Sequence, residues 1–286
     1  MTCPSKIIVI GDTRGDSEVL LKSLELANVI ENGIWIGKDT HVIQMGNTLS
    51  GKTPKSPLLC KSYKMAADEI KISNLINLFD SQAKIYNGRF ISILGKHEML
   101  PYYYGNDTNF MNQYVKKTDE IMYKKIFNCS RKNFWKPGKE GGKILSKRPL
   151  FYTQGKFLFT NASSNFISNY NEINDYNEIN DHISKWFRKE KKIPDIFKKS
   201  SDNPLFTHSE YEYDILNLPG SMKWVVSGNL LNKFKNLIKI KQDSSRAFGD
   251  NYVSVEILEI IQDETNVTVK RISQQPGITT VTNVEL

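Results

Sequence analysis

The chain has 286 residues, 39% hydrophobic and 24% charged, which suits one large folded domain or two small ones and excludes wholesale disorder. Its net charge is +8, but the lysines are scattered along the chain rather than striped on one helix, so nucleic acid or an anionic surface is only a weakly supported partner. The longest apolar runs are too short for a membrane span and the first residues lack the layout of a secretory signal. Three widely spaced cysteines (Cys3, Cys60, Cys129) give neither a disulfide framework nor a cysteine zinc site, so a reduced, intracellular protein is expected.

In chain order, Lys6 to Ile10 reads as a buried strand ending at Gly11. Asp16 to Ala27 follows as a helix with Val19, Leu20, Leu24 and Ala27 on one face. His41 to Met45 is the next strand, Lys64 to Phe79 the next helix and Arg89 to Leu94 a third strand. This alternation predicts βαβ units in an α/β fold with a mostly parallel sheet. Pro149 to Thr153 and Lys156 to Thr160, split by Gln154-Gly155, predict a hairpin. Lys223 to Ser227, Leu237 to Lys241, Tyr252 to Ile260 and Val267 to Ile272 are further strands. A polar tract around 165–202 contains Tyr-Asn-Glu-Ile-Asn-Asp twice, at Tyr170–Asp175 and Tyr176–Asp181, and reads as a slipped repeat in a surface insertion. Residues 275–286 read as a loose tail, leaving one domain over 1–274. Abundant Lys, Asn, Ile and Tyr suggest AT-rich coding sequence, as in a large DNA virus or a protist. A virion component or a protein of the host cytoplasm fits that composition.

Three predicted strand ends carry glycine-led loops: Gly11-Asp12-Thr13-Arg14-Gly15, Gly46-Asn47-Thr48-Leu49-Ser50-Gly51 and Gly95-Lys96-His97-Glu98. Each alone is a turn; at the ends of consecutive strands of one sheet they mark a site, because ligands bind beyond the carboxyl ends of such strands. The second loop also spells a Walker A pattern, Gly46 to Thr53, but Pro54 and Pro57 oppose the helix that must follow, and no convincing acidic partner strand is present.

These loops resemble the calcineurin-like metallophosphoesterases, nearest to the bacterial-type, Shewanella-like protein phosphatases, whose pattern is Gly-Asp-x-His-Gly, Gly-Asp-x-x-Asp-Arg-Gly, Gly-Asn-His-Glu and two later His ligands. Trp35 to Gly46, Asn203-Pro204-Leu205-Phe206-Thr207-His208 and Ser245-Arg246-Ala247-Phe248-Gly249 are similar to further family segments, so the resemblance covers about residues 5 to 272. It implies a four-layer α/β/β/α sandwich and, in an active member, two divalent metal ions that activate a water and clamp the phosphate. Residue by residue, Asp12 keeps its carboxylate. The other ligand positions carry Arg14, Asn47, Lys96, Asn161 and Asn229, and the phosphate-binding positions carry Ser50, Gly51 and His208. His97 and Glu98 remain as vestiges of the acid motif.

One carboxylate, neutral amides and two fixed cations cannot balance the charge of a metal pair, and charged Lys and Arg have no lone pair to donate. The expectation is therefore a catalytically degenerate, metal-free phosphatase fold acting as a binding or structural component for a protein partner. Arg14 and Lys96 are expected to fill the vacated volume and neutralise Asp12. The alternatives are a residual phosphoesterase holding one metal at Asp12, Asn47 and Asn229 with His97 as acid, and a P-loop NTPase through residues 46–53.

Overall fold

The computed structural model describes residues 4, 6–49, 65–103, 117–161, 176–197, 218, 223–227, 236–240, 254–263 and 265–286. Its first strand, β1 (Lys6–Ile10), is buried on both faces, because Ile7, Ile8, Val9 and Ile10 leave no polar side to turn to solvent. Beside it run two parallel strands, β4 (His41–Gln44) and then β5 (Arg89–Ser92). On the other side β1 pairs antiparallel with β10 (Val255–Gln262), followed by β11 (Val267–Gln275) and β12 (Ile278–Val284). The six-stranded order is β12-β11-β10-β1-β4-β5, so the sheet is mixed, and the parallel strands carry the predicted βαβ units. A second sheet, ordered β6-β7-β8-β9, contains β6 (Phe151–Gln154), β7 (Phe157–Thr160), β8 (Trp224–Ser227) and β9 (Leu237–Lys239). The predicted hairpin is β6–β7.

Helix α1 (Ser17–Leu26) is launched by Asp16, whose carboxylate accepts from Glu18 N and Val19 N at 3.1 and 3.2 Å. That cap is buried, so Asp16→Ala is expected to cost about 1 kcal/mol in urea unfolding; an unchanged midpoint would contradict its role. Helix α2 (Met65–Lys84) runs past the predicted end at Phe79, since Ala83 is still buried and Lys84 pairs with Asp80 in the last turn. Among the described residues three clusters fill the interior. One joins Ile8, Ile10, Val42 and Phe90 to α1 and α2; another joins Ile7, Val9, Ile43 and Ile91 to Phe157, Phe159, Val226 and Ile238 of the second sheet. A third joins Phe151, Leu158 and Val225 to helices beyond it. Those helices are α3 (Lys96–Tyr103), α4 (Lys117–Phe127), α5 (Arg131–Trp135), α6 (Glu140–Leu145) and α7 (Tyr176–Phe187).

Several expectations need correction. The second hexapeptide opens α7 rather than lying in a surface loop, because Ile179, Ile183, Trp186 and Phe187 form an apolar stripe at helical spacing. Residues 275–286 are not a loose tail: Pro276-Gly277, with Gly277 at φ +79°, turns the chain into β12, paired along its whole length with β11. The short hairpin β2 (Ile30–Glu31) and β3 (Ile34–Trp35) was also missed, although Asn32-Gly33, both at positive φ, is its expected turn. The first hexapeptide and residues 198–217 lie outside the described residues. No described helix is long and apolar enough to cross a membrane.

Candidate functional site

The carboxyl ends of β1, β4 and β5 bring the three glycine-led loops together, backbone against backbone. A Cβ on Gly95 would lie 2.5 Å from Asn47 N and Asn47 Oδ1, and one on Gly46 would lie 2.7 Å from Gly95 N. Arg14 and Asn47 hold left-handed backbone at φ +49° and +53°, and Arg14 N donates to Asn47 O at 2.9 Å. Non-glycine residues adopt this conformation at a cost that the surrounding contacts must offset.

Asp12 is buried, and its Oδ2 accepts from Arg14 Nε at 3.0 Å and from Asn47 Nδ2 at 2.9 Å. The Asn47 amide can face only one way, because its Oδ1 accepts from the His97 backbone N–H at 2.9 Å and a backbone amide can only donate. One of the two lone pairs on the Asn47 amide oxygen is therefore already engaged. Arg14 Nη1 closes directly on His97 Nε2 and stands 3.3 Å from Nδ1. Asn161, fully buried at the end of β7, donates from its Nδ2 to Met45 O in the same loop cluster.

The structure thus assembles Asp12, Arg14, Asn47, Lys96, His97 and Asn161 at one edge of the sheets. Ser50, Gly51, His208 and Asn229 lie outside the described residues. Lys96 heads α3, half-buried, with its ammonium pKa pushed down first by burial and then by Arg14. Arg14 makes a close ion pair with Asp12, its Nε lying 3.0 Å from Oδ2, as expected of a cation that neutralises this carboxylate.

His97 is held well below its ordinary value of 6.5, chiefly by burial and then by the charges of Arg14, Lys96 and Arg131. A neutral imidazole can accept from the Arg14 guanidinium; a protonated one cannot. The unfolded chain takes up this proton first as pH falls, so the stabilisation is present above about 6.5 and lost below it, at up to ~1.4 kcal/mol per pH unit. His41, also lowered chiefly by burial, adds to the same window. Urea melts between pH 7.5 and 5 (a range spanning the ordinary His value of about 6.5) should show this slope, and His97→Gln should reduce it. An unchanged slope in the variant would contradict the assignment.

Glu98, read in the sequence as a vestige of the acid motif, accepts hydrogen bonds from the neighbouring loops. Its Oε1 accepts from Thr48 N at 2.7 Å, Thr48 Oγ1 at 2.9 Å and Leu49 N at 3.3 Å; its Oε2 accepts from Asn47 N at 2.9 Å and Gly95 N at 2.8 Å. Arg148 approaches Oε1 at 3.5 Å and donates to Thr48 Oγ1 and Ser73 Oγ at 2.6 and 3.1 Å. Sequence reasoning missed Arg148 and Ser73 because neither lies in a motif. Among the described residues no group of three or more His, Cys, Asp or Glu could hold a metal ion.

No family model matches the chain. Its structure is similar to that of the cold-active protein-tyrosine phosphatase of a psychrophile Shewanella species, with a TM-score of 0.64 at 18% identity over 97% of this chain and 80% of that one. A second structure of a cold-active protein tyrosine phosphatase gives 0.65 at 16% identity, over 97% and 78%. The mixed α/β fold of this chain is the fold of those phosphatases, as the loop motifs implied.

Proposed function

We propose that this protein is a catalytically degenerate member of the metallophosphoesterase fold that works by binding or as a structural component, without a catalytic metal pair. The observation that carries the reading is the position of Arg14, whose guanidinium bonds both the one retained carboxylate, Asp12, and the ring of His97. In the phosphoesterase pattern a metal ligand stands at that position. A dication about 4 Å from a guanidinium is repelled by roughly 8 kcal/mol at an effective dielectric of ~20, and one carboxylate cannot offset that. The residues present do not fit a metal pair. Arg14, Asn47, Lys96, Asn161 and Asn229 are read as replaced metal positions, and Ser50, Gly51 and His208 as replaced phosphate positions. The three interior clusters support the finer architecture, a four-layer α/β/β/α sandwich with the degenerate site at its edge.

Neither alternative gains support. A residual phosphoesterase needs His97 as a protonated acid, whereas burial and neighbouring charge favour its neutral form. A P-loop needs free backbone N–H groups, whereas those of Asn47, Thr48 and Leu49 are spent on Glu98. The test is turnover of an aryl phosphate and a phosphotyrosine peptide with added Mn²⁺. No turnover above buffer is expected; turnover abolished by Asp12→Ala would overturn the proposal.

A further inference from the structure

Among the described residues the two larger sheets have four edges, and three are managed. At β5, Asp80 accepts from Phe90 N at 3.0 Å and Pro149 O accepts from Leu94 N at 2.8 Å. At β6, the Asn180 side chain accepts from Leu150 N and Phe151 N at 2.8 and 3.1 Å and donates to Phe151 O at 2.7 Å. At β9, Arg271 Nη2 donates to Lys239 O at 2.8 Å. The fourth edge, β12, has none of the usual protections. It runs for seven residues, Ile-Thr-Thr-Val-Thr-Asn-Val, without a charge, a proline or a glycine, and its register on β11 is unbroken by a bulge. Residues Ile278 to Asn283 are all exposed, Ile278 by 65% and Val281 by 57%. A strand so rich in β-branched residues has high pairing propensity and nothing to discourage it.

We propose that β12 pairs antiparallel with β12 of a second copy of this chain, about a two-fold axis through Val281, joining the two six-stranded sheets into one. The strand is self-complementary about its midpoint. That register sets Ile278 opposite Val284, Thr279 opposite Asn283, Thr280 opposite Thr282 and Val281 opposite itself. Apolar groups meet apolar groups and hydroxyls meet hydroxyl or amide partners, pairings that stabilise antiparallel ladders. A two-fold contact of one surface with itself also closes, rather than propagating into fibres. Charge favours a copy over a charged partner strand, which would gain nothing from a neutral edge. The basic residues nearest the edge, Lys270 and Arg271, lie one strand inward on β11. Across the joint they would stand three strand spacings apart, about 14 Å, beyond the ~8 Å screening length of physiological salt.

The test is sedimentation velocity of the full chain across micromolar concentrations, with Val281→Lys in parallel. The expected result is a species of twice the 32.8 kDa chain mass. Val281→Lys brings two ammonium groups together on the axis and should raise the dissociation constant about tenfold or more, with an unchanged circular-dichroism melt. Should that variant fail to fold, mild oxidation of Val281→Cys and Ile278→Cys decides: a covalent dimer is expected at position 281, which faces itself, and not at 278. A monomer at every concentration, a dimer indifferent to Val281→Lys, or equal cross-linking at both positions would overturn the proposal.

Discussion

Replacing Glu98 by Gln is expected to destabilise the fold by about 3–5 kcal/mol, the cost of breaking a buried ion pair by removing one partner. Both carboxylate oxygens are already saturated with donors, three hydrogen bonds ending on Oε1 and two on Oε2. Either orientation of a glutamine amide therefore points an NH₂ group at two or more N–H or O–H donors. The change also removes the carboxylate facing buried Arg148. Since these bonds fasten the loops after β4 and β5 to the head of α3, their loss should loosen the whole site edge. Urea unfolding measures the effect; a loss below about 1 kcal/mol would mean that the loops hold without this carboxylate.

A second large effect is expected at residues outside the loop motifs. Arg131 and Glu69, each about 1% exposed, pair through Nε and Nη2 at 3.0 and 2.8 Å. Tyr123 donates to the same carboxylate at 2.7 Å, and Trp135 Nε1 donates to the Tyr123 hydroxyl at 2.8 Å. Burial and the Glu69 charge raise the Tyr123 phenol well above its ordinary value, and Glu69 raises Arg131 against the opposing effect of burial. Arg131→Met alone strands a buried carboxylate and should cost about 3–5 kcal/mol, whereas pairing it with Glu69→Leu should cost less than either single change. A double-mutant cycle read by denaturant melts tests this. Additivity within about 0.5 kcal/mol would mean that the two side chains do not act as a unit.

What could be read from the sequence follows the range of the interactions concerned. β1 was legible because four consecutive β-branched residues admit few other readings, and the glycine-led loops because they sit at strand ends. α7 was misread because its four apolar anchors are diluted among asparagines and acids, so composition hid the spacing. β12 was misread although its Pro-Gly turn is a local signal that was present. The loop residues proposed as replaced ligands were found by their place in the motifs. The carboxylates that hold the structure around them were not, because their partners are distant in sequence: Glu98 reaches back 50 residues to Thr48, and Arg131 reaches back 62 to Glu69. No local pattern encodes such pairings.

On the proposed reading, the loop residues at the ligand positions do not retain a divalent metal pair. This is tested most directly by measuring the metal content of the purified chain after incubation with Mn²⁺ and Zn²⁺ and removal of free ion. The comparison is a variant carrying Arg14→His, Asn47→Asp and Lys96→Asn together, which restores ligating groups and removes both cations. Substoichiometric metal is expected in the natural chain and a clear gain in the variant. Stoichiometric metal in the natural chain, lost on Asp12→Ala, would contradict that reading.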